Sequence, residues 1–156
     1  MNANLEKDSA QLVGRLVFAF SRLEFLVGLC LRNLSTTSTP NRLDPLIDRL
    51  SFKGKLDALH DVVQMALSLD QGGEEFCSWY KQADSLRAKR NAFVHGRWGF
   101  HPRSGETFNA SSRLGQNREN EVRTFSLAEL EAEVVTAENL VRAFDVWHRK
   151  RVVHMD

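Results

Sequence analysis

The sequence predicts an all-α fold of four main helices, with a small β-hairpin or meander inserted between the third and the fourth. Three observations carry this. Long segments place apolar residues three and four apart, the period of an amphipathic helix. Breaks rich in Ser, Thr, Asn, Gly and Pro separate those segments. Between Arg97 and Phe125 the pattern changes to short runs of strand-forming residues.

The first helix is expected from about Ser9 to Leu34, capped by Asp8 or Ser9. Leu12, Leu16, Phe20, Leu23, Val27, Cys30 and Leu34 form one apolar stripe, and Phe18, Phe25 and Leu29 form a second on roughly the opposite side. Gly14, Ser21 and Gly28 recur near the second stripe. A helix apolar on two sides, in so small a chain, predicts a homodimer that uses this helix. Ser35 to Asn41 reads as a connector, and Asp44 to Leu50 as a short helix with Pro45 in its first turn. Ser51 caps the second main helix, whose stripe is Phe52, Leu56, Leu59, Val63 and Ala66, and Leu69 to Gly73 ends it. The third runs from about Glu74 to His95, with Glu74 and Glu75 favourably placed at the positive end of its dipole.

Arg97–His101 and Glu121–Phe125 read as strands, with one weak strand at Glu106–Ala110 in the loop between them. Loops as long as 101–121 are usually functional or disordered. Ser126-Leu-Ala-Glu129 is a capping box that opens the fourth helix, on which Leu130, Val134, Ala137, Val141 and Phe144 share a face. The tail 150–156 is expected to fray. The whole of 1–156 reads as one domain, with the β insert and flexible loop at about 97–125.

The chain has 156 residues, 42% hydrophobic and 26% charged, as in ordinary globular domains. Its richest apolar segment is broken by Arg15, Arg22, Glu24 and Arg32, so no membrane span is expected. Residues 1–11 are polar and show no signal-peptide pattern. Cys30 and Cys77 lie in helical segments without metal-ligand spacing, and read as buried thiols in a reducing, cytoplasmic setting. His60 and Asp61 are adjacent, so their side chains are expected to diverge; no Ser-His-Asp or Cys-His arrangement is predicted. No metal or other cofactor is implied.

The net charge is +1, yet Lys81 to Arg103 holds six basic residues (Lys81, Arg87, Lys89, Arg90, Arg97, Arg103) against one acid, Asp84. Such a patch suits phosphate contact, which makes Arg87, Lys89, Arg97 and Arg103 candidate phosphate-binding residues; the alternative, which charge alone favours, is a solvated helix face. On the helix that carries most of the patch, Phe76, Trp79, Ala83, Leu86, Phe93 and Val94 fall within about 60° of one line. Arg90 sits in the middle of that line. A guanidinium in an apolar seam needs a negative partner, either a carboxylate of the fold or a phosphate from outside. Glu24, at the edge of the first helix's core stripe, is the internal candidate. Asn91 and His95 are one turn apart on the neighbouring face, and Gly96 reads as a helix C-cap. Trp98 and Phe100 read as packing residues rather than a base-stacking platform, and His101, His148 and His154 lack ligand partners at helical spacing.

The segment Arg90-Asn91-Ala-Phe-Val-His95 resembles the Arg-(polar)-x-x-x-His motif of the HEPN superfamily. Phe20-Ser-Arg-Leu-Glu24-Phe-Leu and Ser51-Phe-Lys-Gly-Lys55-Leu resemble segments of that superfamily's first and second long helices. The resemblance implies a helical bundle that dimerises so that two motifs meet in one cleft. For active members it implies metal-independent RNA cleavage by the 2′-hydroxyl, with Arg90, Asn91 and His95 in the Arg, polar and His roles. The residue types suit that chemistry: histidine moves a proton near neutral pH, and arginine presents a planar fork of donors to phosphate. A ribonuclease acting as a toxin or defence component, with a cognate antitoxin protein as partner, is one expectation. The alternative is a non-catalytic HEPN-like nucleotide- or RNA-binding or dimerisation module in which Arg90 and His95 are structural.

Overall fold

A computed structural model describes residues 2–34, 43–66, 71–101, 103–111 and 121–152. The protein is mostly helical, with one small antiparallel sheet. The helices are α1 (Asn2–Leu34), α2 (Asp44–Arg49), α3 (Phe52–Ala66), α4 (Gln71–His95) and α5 (Leu127–Val152); the strands are β1 (Arg97–Phe100), β2 (Thr107–Ser111) and β3 (Glu121–Phe125). The expected connector at 35–41, most of the loop centre and the end of the tail lie outside the described residues.

Two helix starts differ from expectation. α1 begins a full two turns earlier, and Ser9 is buried within it rather than capping it. Leu5, Glu6 and Lys7 are good helix formers, and nothing in that turn breaks the helix. α4 begins at Gln71, so Glu74 lies in its first turn instead of opening it. The N-terminal caps at Ser51 and Ser126 form as read. Ser51 Oγ accepts from Gly54 N at 3.1 Å. The box at α5 closes both ways: Ser126 N donates to Glu129 Oε2 at 2.7 Å and Glu129 N to Ser126 Oγ at 3.2 Å. Pro45 stands in the first turn of α2.

The chain divides into two compact units. The first comprises Met1–Ala19 and Ala88–Glu138. Its core holds Leu16, Ala19, Phe93, Leu130, Val134 and Ala137. Its sheet has the order β1-β2-β3, so β2 is central; Arg97 faces Ala110 across one ladder and Thr107 faces Phe125 across the other. The segment expected as at most a weak strand within the loop is therefore the middle strand of the sheet. Its inward residues are polar: Thr107 and Asn109 are buried, and Thr107 Oγ1 donates to Phe125 O at 3.0 Å. Phe108 lies over Gly99, where any Cβ would collide with the ring. The β1–β2 turn passes through Gly105, whose φ of 69° favours glycine.

The second unit comprises Phe20–Arg87 and Asn139–Asp156. An aromatic cluster fills it. Trp79 stacks on Phe144 at 4.5 Å, Phe76 meets Trp147 at 4.8 Å, and Trp79 Nε1 donates to Leu140 O at 3.0 Å. Leu23, Val27, Cys30, Leu56 and Leu59 complete the core. Each such buried aliphatic side chain contributes about 1.5–3 kcal/mol. Val94 and Ala66, expected in core stripes, are exposed near helix ends, whereas Leu140 and Trp147 are buried. Cys77 is only half-buried, which corrects the expectation that both thiols are sealed. No helix among the described residues is long and apolar enough to cross a membrane.

Candidate functional site

The last turn of α4 and the start of β1 present the motif. Arg90 is half-buried, and its Nη1 donates to Asn91 Oδ1 at 3.1 Å, so the two motif residues are joined. His95 closes the helix and is exposed; among the described residues its side chain makes no hydrogen bond or ion pair. An imidazole so placed is open to solvent and ligand. Arg97 and Arg103 are also exposed.

The turn after His95 is held from the sheet. Gly96 N donates to Ala92 O at 2.8 Å, extending the helical pattern by one bond. Gly96 is not in the left-handed conformation expected of a C-cap glycine. Its lack of a side chain serves another end: Asn109 on β2 lies against it, and a Cβ there would overlap the Asn109 amide and press on Ala92 O. The amide orientation follows from its neighbours. Asn109 Nδ2 donates to Ala92 O at 3.2 Å and its Oδ1 accepts from Trp98 Nε1 at 3.1 Å. That indole N–H also reaches Phe93 O at 2.8 Å. The Trp98 ring meets Phe93 edge-on at 5.1 Å and lies 6.0 Å from Phe125, so it packs within its unit.

Two of the four candidate phosphate-binding cations are held inside the protein. Lys89 Nζ reaches both oxygens of Glu133, at 2.7 and 2.6 Å. Arg87 Nε donates to Asp84 Oδ1 at 2.7 Å. The basic patch is thus smaller than its sequence suggests. Glu24, the expected partner of Arg90, accepts from Lys55 Nζ at 3.2 Å. Sequence reasoning missed Asn109 and Glu133. A buried asparagine on a central strand leaves no periodic mark, and the Lys89–Glu133 pair joins residues far apart in the chain.

The expected divergence of His60 and Asp61 is corrected. His60 Nδ1 lies 3.6 Å from Asp61 Oδ1, and its Nε2 lies 4.0 Å from Cys77 Sγ. Among the described residues no cluster of three or more His, Cys, Asp or Glu is arranged to hold a metal ion. His154 lies outside the described residues. No family model, curated protein or solved structure matches the chain.

Proposed function

We propose that the chain is a HEPN-like, metal-independent endoribonuclease, with a composite site formed by two copies. The observation that carries this reading is the Arg90–Asn91 hydrogen bond of 3.1 Å beside an exposed His95 at the helix terminus. A tethered guanidinium supplies oriented donors for a phosphate, and a solvent-facing imidazole supplies a proton acceptor and donor one turn on. In this reading His95 takes the 2′-hydroxyl proton or protonates the leaving 5′-oxygen, and Arg90 neutralises the charge gathering on the phosphorus oxygens. A homodimer through α1 and the end of α4 brings two histidines to one cleft, so that one acts as base and the other as acid. The products are a 2′,3′-cyclic phosphate and a 5′-hydroxyl. A toxin or defence role, silenced by a cognate antitoxin protein, follows the same reading, as does a cytoplasmic location.

The test is incubation with single-stranded RNA in chelator, followed by analysis of the product ends. His95→Ala is expected to cut at least about 100-fold more slowly than wild type, the usual scale of lost proton transfer. Equal cutting by the two proteins would remove the enzyme reading.

The internal pairing of Arg87 and Lys89 favours a second reading, a non-catalytic HEPN-like binding or dimerisation module. There Arg90→Ala lowers stability by about 1–3 kcal/mol, because a half-buried guanidinium and its hydrogen bond to Asn91 are lost. In the enzyme reading the same variant loses cleavage and little stability.

A further inference from the structure

A second reactive arrangement lies in the unit formed by Phe20–Arg87 and Asn139–Asp156, and it shares no residue with the reading above. Its centre is Cys77 on α4, a half-buried thiol. His60 and Gln64 are four apart on α3, hence on one face, and both reach the sulfur. Gln64 Nε2 donates to Cys77 Sγ at 2.9 Å, and His60 Nε2 lies 4.0 Å from the same atom. The other ring nitrogen, Nδ1, lies 3.6 Å from Asp61 Oδ1. The imidazole is held against Tyr80 at 4.6 Å between ring centres. Tyr80 is itself pinned, since its hydroxyl donates to Asp57 Oδ1 at 2.6 Å and accepts from Lys53 Nζ at 2.7 Å.

The chemistry of the set is consistent. Asp61 favours the tautomer with the proton on Nδ1, which turns the Nε2 lone pair toward the thiol. Asp61 is largely exposed, so its role is orientation more than energy. The Gln64 amide donates to sulfur and stabilises its negative charge. A half-buried cysteine with an imidazole and an amide donor at its sulfur is set apart for reaction from one sealed in the core. The chain holds its own contrast. Cys30 is 1% exposed, and burial pushes its thiol up to about 12.

We propose that Cys77 is a modification site, at which a low-molecular-weight disulfide is exchanged onto the protein with His60 as the base. His60 Nε2 takes the thiol proton. The Cys77 sulfur attacks one sulfur of the disulfide, the new S–S bond forms as the old one breaks, and the departing thiolate takes the proton from His60. Cys77 is oxidised to a mixed disulfide, and the departing half is reduced to its thiol. The disulfide itself is the only oxidant consumed.

The test uses the full, reduced native chain with dithiodipyridine, whose released thiopyridone absorbs light, and in parallel with glutathione disulfide followed by intact mass. One thiol per chain is expected to react in a fast phase, and Cys77→Ser is expected to abolish that phase while Cys30 stays unmodified. His60→Gln is expected to slow the fast phase about five- to tenfold. Gln64→Ala, on an exposed side chain, is expected to slow it too and guards against misfolding of the histidine variant. The proposal is overturned if the fast phase survives in Cys77→Ser, or if both neighbouring variants react at the wild-type rate.

Discussion

Asn109 on the central strand β2 fills the space over Gly96, the residue that follows the last turn of α4. One amide thereby satisfies Ala92 O and Trp98 Nε1, at 3.2 and 3.1 Å, and fixes where the helix ends and the sheet begins. Because Asn109 and the backbone both crowd that site, Gly96→Ala is expected to cost about 2–3 kcal/mol, the upper part of the range for overpacking. Urea unfolding measures it. Asn109→Ala in the same chain should recover only part of the loss, since Ala92 O remains against the new methyl. Full recovery would show that the backbone contact relaxes freely.

The pairing of Lys89 with Glu133 makes a prediction about charge. If RNA binds, each cation that meets a phosphate adds about 0.7 to the salt slope for a single strand. Arg97→Ala and Arg103→Ala, at exposed positions, should each lower the slope by about that amount. Lys89→Ala should leave it unchanged, because its ammonium is already held by the Glu133 carboxylate. Binding of a fluorescent oligonucleotide over a salt series measures this. A fall with Lys89→Ala equal to that with Arg97→Ala would mean that the pair opens when RNA binds.

Most helices were legible because their apolar stripes are strictly periodic. Leu16, Phe20, Leu23, Val27 and Cys30 all lie in the core. The capping box at Ser126 and Glu129 located α5 to one residue. What failed was set by tertiary contacts. The inward face of β2 is Thr107 and Asn109, buried polar residues that give no hydrophobic alternation, so the central strand looked like a weak one. Gly96 was legible as a necessary glycine but not for its reason, which lies in a side chain thirteen positions on. The motif itself was legible as a pattern. The basic patch around it was overestimated, because charge counted along a sequence takes no account of carboxylates such as Glu133 that folding brings in. Cys77 and His60 approach across two helices, and no spacing within either helix announces it.

His148 supplies a stability test with a defined sign. Its ring is coplanar with that of Phe144 to within 2°, and burial lowers its pKa below the ordinary 6.5, with the nearby Asp145 opposing the shift. The unfolded chain therefore takes up this proton first as pH falls. The contribution to stability is whole above 6.5 and is lost as pH drops through that value toward the lower folded one. His148→Phe keeps the aromatic stack and removes the proton, so its urea midpoint should decline less than that of wild type between about pH 7.5 and 5.5. Parallel declines would place the acid sensitivity elsewhere.

The proposed dimer is tested most directly at Phe25, which is 65% exposed in the single chain, as Phe18 is at 77%. Exposed phenylalanines seven apart on one helix stay on nearly the same face. Aromatic anchors of this kind are enriched where copies meet. Shallow clefts adjoin Phe25: one is lined by Arg22, Leu26, Val141, Arg142 and Asp145, the other by Gly28, Leu29, Ile47 and Asp48. An isologous contact lets the Phe25 of each copy enter a cleft of the other. Phe25→Asp leaves a solvent-facing position polar, so the stability of the single chain should change by no more than about 0.5 kcal/mol. Sedimentation should find wild type as a dimer at tens of micromolar and the variant as a monomer. The variant should also lose RNA cleavage with Arg90, Asn91 and His95 untouched, because a composite site needs both copies. Cleavage that survives in a monomeric Phe25→Asp would place the whole reaction within one chain.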